Sequence, residues 1–266
     1  MRDLTVTLLQ SSLAWQEPAA NRAHFETLIG AHKVPGGLVV LPEMFATGFT
    51  MAPAEVAETM TGESVAWMAA VARRYAITLT GSLVIRDDLG YRNRLIWMPP
   101  DGQASHYDKR HLFRMADEHR HYVPGNERLV VEIDGWRVCP LICYDLRFPV
   151  WSRGANAFDL QLYVANWPAA RRSAWRALLP ARAVENQCYV AGVNRIGLDG
   201  NGVRYSGDTL AADPLGNLLV DAGSEAGAFT VRLDGAALVS YREKFPAWRD
   251  ADDYRLTDGL TGGPTD

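Results

Sequence analysis

Three residues of the chain have side chains that together could cleave an acyl bond. Glu43, Lys109 and Cys143 each stand at the end of a run of residues typical of a buried strand. Cysteine attacks as its thiolate, which a neighbouring cation stabilises, and the protons that move need a carboxylate able to take and return them. The three residues would therefore supply a nucleophile, a cation and a base for acyl transfer.

The elements that must position these residues follow from hydrophobic periodicity, which predicts alternating strands and helices both before and after Cys143. The predicted strands are 5–10, 38–41, 77–85, 92–98, 105–109, two within 129–142, 160–165 and several within 189–233. The predicted helices are 17–33, 61–75, 148–158 and 175–187, and a last helix followed by a tail is predicted over 236–254. Ligands gather outside the carboxyl ends of strands in open α/β sheets, which is where Glu43, Cys143 and Asn166 fall. Periodicity alone does not establish that these ends meet.

Composition favours one α/β domain that acts on a small molecule. The chain has 266 residues, of which 48% are hydrophobic, and a formal net charge of −4. This charge excludes a general attraction to nucleic acid or to an anionic membrane, and no apolar stretch is long enough to span a bilayer. The start leads directly into a strand without signal-peptide features, and three cysteines imply no disulfide framework. We expect a cytoplasmic protein with one domain over 1–260 and a disordered tail over 261–266.

The three motifs resemble those of a known family. Pro42-Glu43, Tyr107-Asp108-Lys109 and Cys143-Tyr144-Asp145, in this order, resemble the Glu-Lys-Cys signature of the nitrilase superfamily, the carbon–nitrogen hydrolases, and more closely its omega-amidase-like branch. The resemblance covers almost the whole chain. It implies a four-layer α-β-β-α sandwich in which the three residues converge in one pocket. It also implies a homodimer joined through outer helices, with neither a cofactor nor a metal.

The same comparison indicates a fourth site residue. Members of the superfamily have a second glutamate between the lysine and the cysteine, shortly before a Pro-Gly pair, and Glu118 precedes Pro124-Gly125 with matching spacing. The alternative is a solvated loop, because the segment 117–121 is strongly polar. Glu127 is a less well placed candidate for this second glutamate.

These residues suggest a thioester mechanism as a hypothesis. Glu43 would deprotonate Cys143, and the thiolate would attack the carbonyl carbon of a carboxamide. Lys109 and the backbone N–H of Tyr144 are the candidate donors to the oxyanion. Ammonia would leave with a proton from Glu43, which would then activate water, while Glu118 would orient the substrate amide, Glu43 or Lys109.

Further residues are predicted to shape the pocket. Trp167 lies in the loop after the strand 160–165 and is assigned equally to the pocket wall or to core packing. Phe45 and Phe113 are expected to narrow the pocket. Arg171, in the same loop as Trp167, is the candidate partner for a substrate carboxylate.

A compact pocket with a cation favours a short amide that also bears an acid. Arg172 is an alternative to Arg171 for binding that acid, whereas Arg147 is expected to make structural bonds. The resemblance implies such a substrate, namely the omega-amide of a 2-oxo dicarboxylic acid such as 2-oxoglutaramate or 2-oxosuccinamate. Hydrolysis would clear products of glutamine or asparagine transamination and could support methionine salvage.

The sequence is also compatible with other functions. The same triad serves nitrilases, aliphatic amidases and N-carbamoyl hydrolases, and the fold could also carry a catalytically silent binding module. A metal-dependent hydrolase would need His111, His119 and His121, but these lack the spacing of a zinc site. They are expected to lie at the surface or to support the catalytic residues from behind. Cys139 and Cys188 have no base or cation motif beside them and are predicted to be inert.

Overall fold

The computed structural model describes residues 1–154, 156–254 and 256. Its strands are Leu4–Gln10 (β1), Leu38–Val40 (β2), Thr78–Asp87 (β3), Gly90–Met98 (β4), Ser105–Asp108 (β5), Val131–Ile133 (β6), Trp136–Ile142 (β7), Leu160–Ala165 (β8), Tyr189–Asn194 (β9), Ile196–Leu198 (β10), Arg204–Ser206 (β11), Leu210–Ala212 (β12), Leu218–Asp221 (β13) and Gly227–Leu233 (β14). Its α-helices are Pro18–His32 (α1), Pro53–Val56 (α2), Glu63–Tyr75 (α3), Glu118–His121 (α4), Pro149–Ser152 (α5), Arg172–Asn186 (α6) and Gly235–Lys244 (α7).

The strands form two mixed six-stranded sheets. The first has the order β14-β1-β2-β3-β4-β5 and the second has the order β13-β12-β9-β8-β7-β6. In each sheet the central pairs are parallel, β1 with β2 and β2 with β3 in the first, β7 with β8 and β8 with β9 in the second. A separate hairpin pairs β10 with β11.

Alternating burial along the strands explains the layers. On β1, Val6 and Leu8 belong to the cluster shared by the two sheets, whereas Leu9 belongs to a second cluster between the first sheet and α1 and α3. Successive side chains of a strand point to opposite faces, so one apolar run serves both clusters. Trp175 and Leu179 of α6 cover the second sheet. The four-layer α-β-β-α prediction is confirmed.

Three predicted helices differ in their bounds. The helix predicted over 148–158 is confined to α5, because the chain turns back at Gly154, where the ring of Phe158 packs directly against the glycine. The helix predicted from 175 begins earlier, at Arg172, and passes through Pro180. The last helix, predicted with a tail over 236–254, begins at Gly235 and ends at Lys244, and Pro246 precedes a short 3₁₀ turn.

The predicted tail over 261–266 and the end of the domain at 260 lie outside the described residues. No helix within the described ranges is long and apolar enough to cross a membrane. All three cysteines are free and buried.

Candidate active site

The two facing sheets bring the predicted residues together. Glu43 lies in the turn after β2 and Lys109 directly follows β5, both in the first sheet, whereas Cys143 directly follows β7 in the second. The exposed fractions are 0% for Glu43, 1% for Lys109 and 8% for Cys143. The site is therefore enclosed between the sheets, at the ends of strands, where water competes little with its hydrogen bonds.

A buried charge cluster forms the base of the site. Lys109 Nζ lies 2.9 Å from Glu43 Oε1 and 3.0 Å from both carboxylate oxygens of Glu118. The backbone N–H of Asn166 donates to Glu43 Oε2 at 2.7 Å, and that of Phe113 donates to Glu118 Oε2 at 2.6 Å. Glu118 is fully buried at the start of α4, so it is not in a solvated loop.

The electrostatics of this cluster keep the lysine charged and the thiol protonated. Although burial alone would lower the pKa of Lys109, the charges of Glu118 and Glu43 raise it well above its ordinary value. Burial also raises the pKa of Glu118, against the opposing effect of Lys109. Burial and then the negative charge of Glu43 raise the pKa of the Cys143 thiol well above its usual value. Attack by Cys143 therefore requires a base that removes its proton.

The backbone at the nucleophile is unusual. Cys143 has φ of 44° and is the first residue of a short 3₁₀ helix. Positive φ is uncommon for a non-glycine residue and is maintained only where surrounding contacts enforce it. Here the buried Asp145 carboxylate accepts from the backbone N–H of Ile142 at 3.0 Å, from that of His111 at 3.0 Å and from the Tyr107 hydroxyl at 2.7 Å. Asp145 thus ties the turn to the loop after Lys109.

Cys143 faces a cavity of about 230 Å³. Aromatic and apolar side chains form much of its wall, and Lys109, Tyr144 and Asn166 also border it. The walls include Phe49, Met51, Phe113, Met115, Trp167, Pro168, Val203 and Tyr205. Phe113 and Trp167 therefore line the cavity. The sequence analysis predicted this position for Phe113, and it is one of the two positions considered for Trp167.

Phe45 does not line this cavity, which corrects the sequence prediction. Its side chain is fully buried in the cluster under α1 and α3, where its ring centroid lies 5.9 Å from that of Phe25 and 5.7 Å from that of Trp67. The positive φ of Met44, 43°, redirects the chain directly after Glu43. Phe49 takes the expected place, with its ring centroid 5.1 Å from Lys109 Nζ.

Two arginines line the cavity. The Arg171 guanidinium lies 5.1 Å from the ring centroid of Phe113, and that of Arg147 lies 5.3 Å from the ring centroid of Trp167. Within the described part of the chain, neither has a carboxylate oxygen within 4.0 Å. Arg172 instead donates two hydrogen bonds of 2.7 Å to the carboxylate of Asp208. Because this pairing engages its guanidinium, Arg172 is not available to a substrate.

The other residues considered for catalysis include His111, which already has a carboxylate partner, and two further cysteines whose thiols stay protonated. His111 Nδ1 lies 2.8 Å from Asp145 Oδ1. No group of three His, Cys, Asp or Glu side chains in the described ranges could hold a metal ion. Burial raises the pKa of Cys139 to about 12 and raises that of Cys188 as well, so both thiols stay protonated.

Three further polar residues complete the site. The sequence analysis placed one of them, Asn166, at a strand end but did not single out Asn93 or Ser82. Asn93 of β4 contacts both glutamates, and Ser82 of β3 contacts Asn93. The Asn166 side chain donates to the backbone carbonyl of Glu43 at 2.6 Å. For Ser82 the available signal was a polar residue within an apolar strand, since a buried polar group must find a partner. Asn93 lies between Arg92 and Arg94 and gave no such signal.

Comparisons with known proteins agree with this geometry. The model of the carbon–nitrogen hydrolase family matches residues 5–243. The chain is 50% identical over 258 residues to Omega-amidase YafV of Escherichia coli strain K12, which covers 96% of this chain and 100% of that protein. It is 32% identical to the 2-oxoglutaramate amidase of Bacillus subtilis strain 168, covering 92% and 96%. XC1258 from Xanthomonas campestris, a CN-hydrolase superfamily protein crystallised with an arsenic adduct in its active site, has a TM-score of 0.94 and 45% identity, covering 97% and 100%.

Proposed function

Because the chain belongs to the carbon–nitrogen hydrolase family, we propose that it hydrolyses the omega-amide of a short 2-oxo dicarboxylic acid monoamide, 2-oxoglutaramate or 2-oxosuccinamate, to the acid and ammonia. The observation that carries this proposal is the buried Glu43–Lys109–Glu118 cluster at the base of a cavity that also holds Cys143. The named activities of the relatives, an omega-amidase and a 2-oxoglutaramate amidase, support the substrate class.

The first half of the reaction forms a thioester. Glu43 takes the thiol proton of Cys143, and the sulfur attacks the amide carbon. Lys109 and the backbone N–H of Tyr144 stabilise the oxyanion, since Lys109 and Tyr144 both line the cavity together with Cys143. Glu43 then gives its proton to the amide nitrogen, the C–N bond breaks, and ammonia leaves.

The second half regenerates the enzyme. Glu43 takes a proton from a water molecule, whose oxygen attacks the thioester carbon. The C–S bond breaks, the acid is released, and the proton on Glu43 returns to the sulfur of Cys143. Glu118 keeps Lys109 directed at the reacting carbonyl, because both of its carboxylate oxygens accept hydrogen bonds from Nζ at 3.0 Å.

The acid group of the substrate is assigned to Arg171. The Arg171 guanidinium stacks on an aromatic ring and has no carboxylate partner among the described residues, so it is ready to bind a substrate carboxylate through paired N–H groups. Replacing Arg171 with Met is expected to raise KM for 2-oxoglutaramate by about 10-fold or more, the usual cost of losing a charge-assisted hydrogen bond. Arg172→Met is the matched control, because Arg172 binds Asp208, and its KM should stay close to that of the wild type. An unchanged KM in Arg171→Met would remove Arg171 from the site.

A substrate panel tests the proposed function. Ammonia release is measured from 2-oxoglutaramate, 2-oxosuccinamate, glutamine, a simple nitrile and an N-carbamoyl amino acid. The proposal expects the highest kcat/KM for one of the two oxo-amides. If the nitrile or the carbamoyl amino acid were the better substrate, the proposed function would be wrong, and the protein would be a nitrilase or an N-carbamoyl hydrolase.

The biological setting follows as part of the proposal. Oxo-amides of this type arise from transamination of glutamine and asparagine, so the enzyme would act after an aminotransferase and could support methionine salvage. The three free cysteines support a reducing compartment such as the cytoplasm. We assign the protein as a homodimer joined through outer helices, supported by exposed apolar side chains at Val184 of α6 and at Phe245 after α7. Light scattering that gave the mass of a single 29.4 kDa chain would contradict this assembly.

A further inference from the structure

Asn93 lies between the two glutamates of the site. Its Nδ2 group donates to Glu43 Oε1 at 2.8 Å and to Glu118 Oε1 at 3.3 Å. Asn93 is 1% exposed, so both hydrogen bonds are formed away from bulk water. A neutral amide can hold two carboxylates at once without taking a proton from either of them.

Ser82 fixes the orientation of this amide. The backbone N–H of Met44 donates to Ser82 Oγ at 2.8 Å, and Ser82 Oγ lies 2.8 Å from Asn93 Oδ1. The hydroxyl accepts from Met44 and donates to Asn93 Oδ1, an orientation that agrees with the two carboxylates on the other side of the amide, which can only accept. The NH₂ group of Asn93 is thereby directed at the carboxylates. The same serine also holds the strained residue that follows Glu43.

The hydrogen bonds divide the two oxygens of Glu43 into different roles. Oε1 accepts from both Lys109 and Asn93, which occupies both of its lone pairs. Oε2 accepts from the backbone N–H of Asn166 and keeps one lone pair for another proton. Oε2 is therefore the oxygen of Glu43 that can still accept a proton.

Lys109 alone cannot maintain this arrangement during the reaction. An ammonium group has three N–H donors, and Lys109 makes one contact with Glu43 and two with Glu118. When Lys109 donates to the oxyanion, at least one of these contacts must weaken. Asn93 then still holds Oε1 of both glutamates.

We propose that Asn93, oriented by Ser82, is a positioning residue that holds Glu43 with Oε2 free to accept the proton of the Cys143 thiol. In this step the S–H bond breaks and an O–H bond forms at Oε2, so no further reactant is required. The inference rests on the role of Glu43 in the proposed function.

The test combines turnover with a reaction that needs no substrate. Asn93→Ala and Ser82→Ala are compared with wild type for kcat and KM on the best oxo-amide, and for the rate at which iodoacetamide alkylates Cys143, followed by mass spectrometry. Asn93→Ala is expected to lower kcat about 100-fold and Ser82→Ala about 10-fold, with KM changed less than about 2-fold, because neither residue touches the substrate. The alkylation rate should fall in the same order, since it also needs the thiol proton removed.

Asn186→Ala is the matched control. Asn186 is similarly buried, and its side chain donates to the backbone carbonyls of Ser152 and Arg182. None of these three residues lines the cavity. It is expected to lower thermal stability without lowering the alkylation rate, which separates positioning from general damage.

Each outcome of the test has a defined meaning. A folded Asn93→Ala with wild-type kcat and alkylation rate would overturn the proposal, as would a loss confined to KM. If Asn93→Ala does not fold, Ser82→Ala decides by the same two criteria. If wild type released no ammonia from the oxo-amides, the proposed function would fail, but the alkylation rates would still test Asn93.

Discussion

Replacement of Cys143 with alanine is expected to reduce ammonia release by at least about 10⁴-fold, because no other group can form the thioester. The change removes one sulfur atom at the wall of the cavity, so the fold should survive. The check is ammonia release at saturating substrate, together with circular dichroism and the melting temperature of the variant.

Cys139→Ala and Cys188→Ala serve as controls for this prediction. Both thiols are buried in the core shared by the sheets, and burial raises the pKa of each. Each replacement is expected to reduce stability through the small space it leaves, with kcat close to that of wild type. Substantial turnover by a folded Cys143→Ala protein would refute covalent catalysis at this position.

The second large effect is expected for Glu43→Gln, which should lower kcat by about 10³-fold, since general acid–base catalysis typically contributes 10²–10⁴. The amide has nearly the same shape as the carboxylate but cannot take the thiol proton. Its NH₂ group would also face a donor, because Lys109, Asn93 and the Asn166 N–H all donate to Glu43. The measurement is kcat by steady-state ammonia release.

Glu58→Gln is the matched control for Glu43→Gln. Glu58 is a partly buried carboxylate that accepts from the backbone N–H of Ser64 at 2.6 Å and belongs to no part of the cavity wall. It should change stability and leave kcat within about 2-fold, as expected of substitutions away from the reacting groups. Equal kcat values for Glu43→Gln and Glu58→Gln would exclude Glu43 as the base.

The sequence predicted β2 and β7 because buried parallel strands are continuous apolar runs, whereas β5 pairs antiparallel and is mostly polar. The run at 38–41 contains β2, and the strands predicted at 105–109 and within 129–142 contain β5 and β7. Polar residues at the ends of such runs stand out against them. The positions of Glu43 and Cys143 were therefore visible in the hydrophobic pattern, while the role of Lys109 and the approach of the two sheets came from family resemblance.

The pocket wall was harder to predict because backbone turns, not residue types, decide it. Phe45 and Phe49 lie in the same segment and are chemically identical, yet only Phe49 borders the cavity. Positive φ values at Met44 and Gly48, 43° and 77°, set the path between them, and no periodicity reports such angles. Asn93 was missed for a related reason, since its partners come from segments distant along the chain and only the fold brings them together.

The most direct test of the central claim is the mass of the protein during turnover. Wild type is mixed with 2-oxoglutaramate, quenched in acid within milliseconds, and analysed as intact protein and as peptides. The mechanism predicts an added acyl group on the peptide that contains Cys143, absent from Cys143→Ala and removed by hydroxylamine, as a thioester requires. Rapid ammonia release with no adduct on that peptide at any quench time, including in a variant slowed at Glu43, would contradict the thioester mechanism.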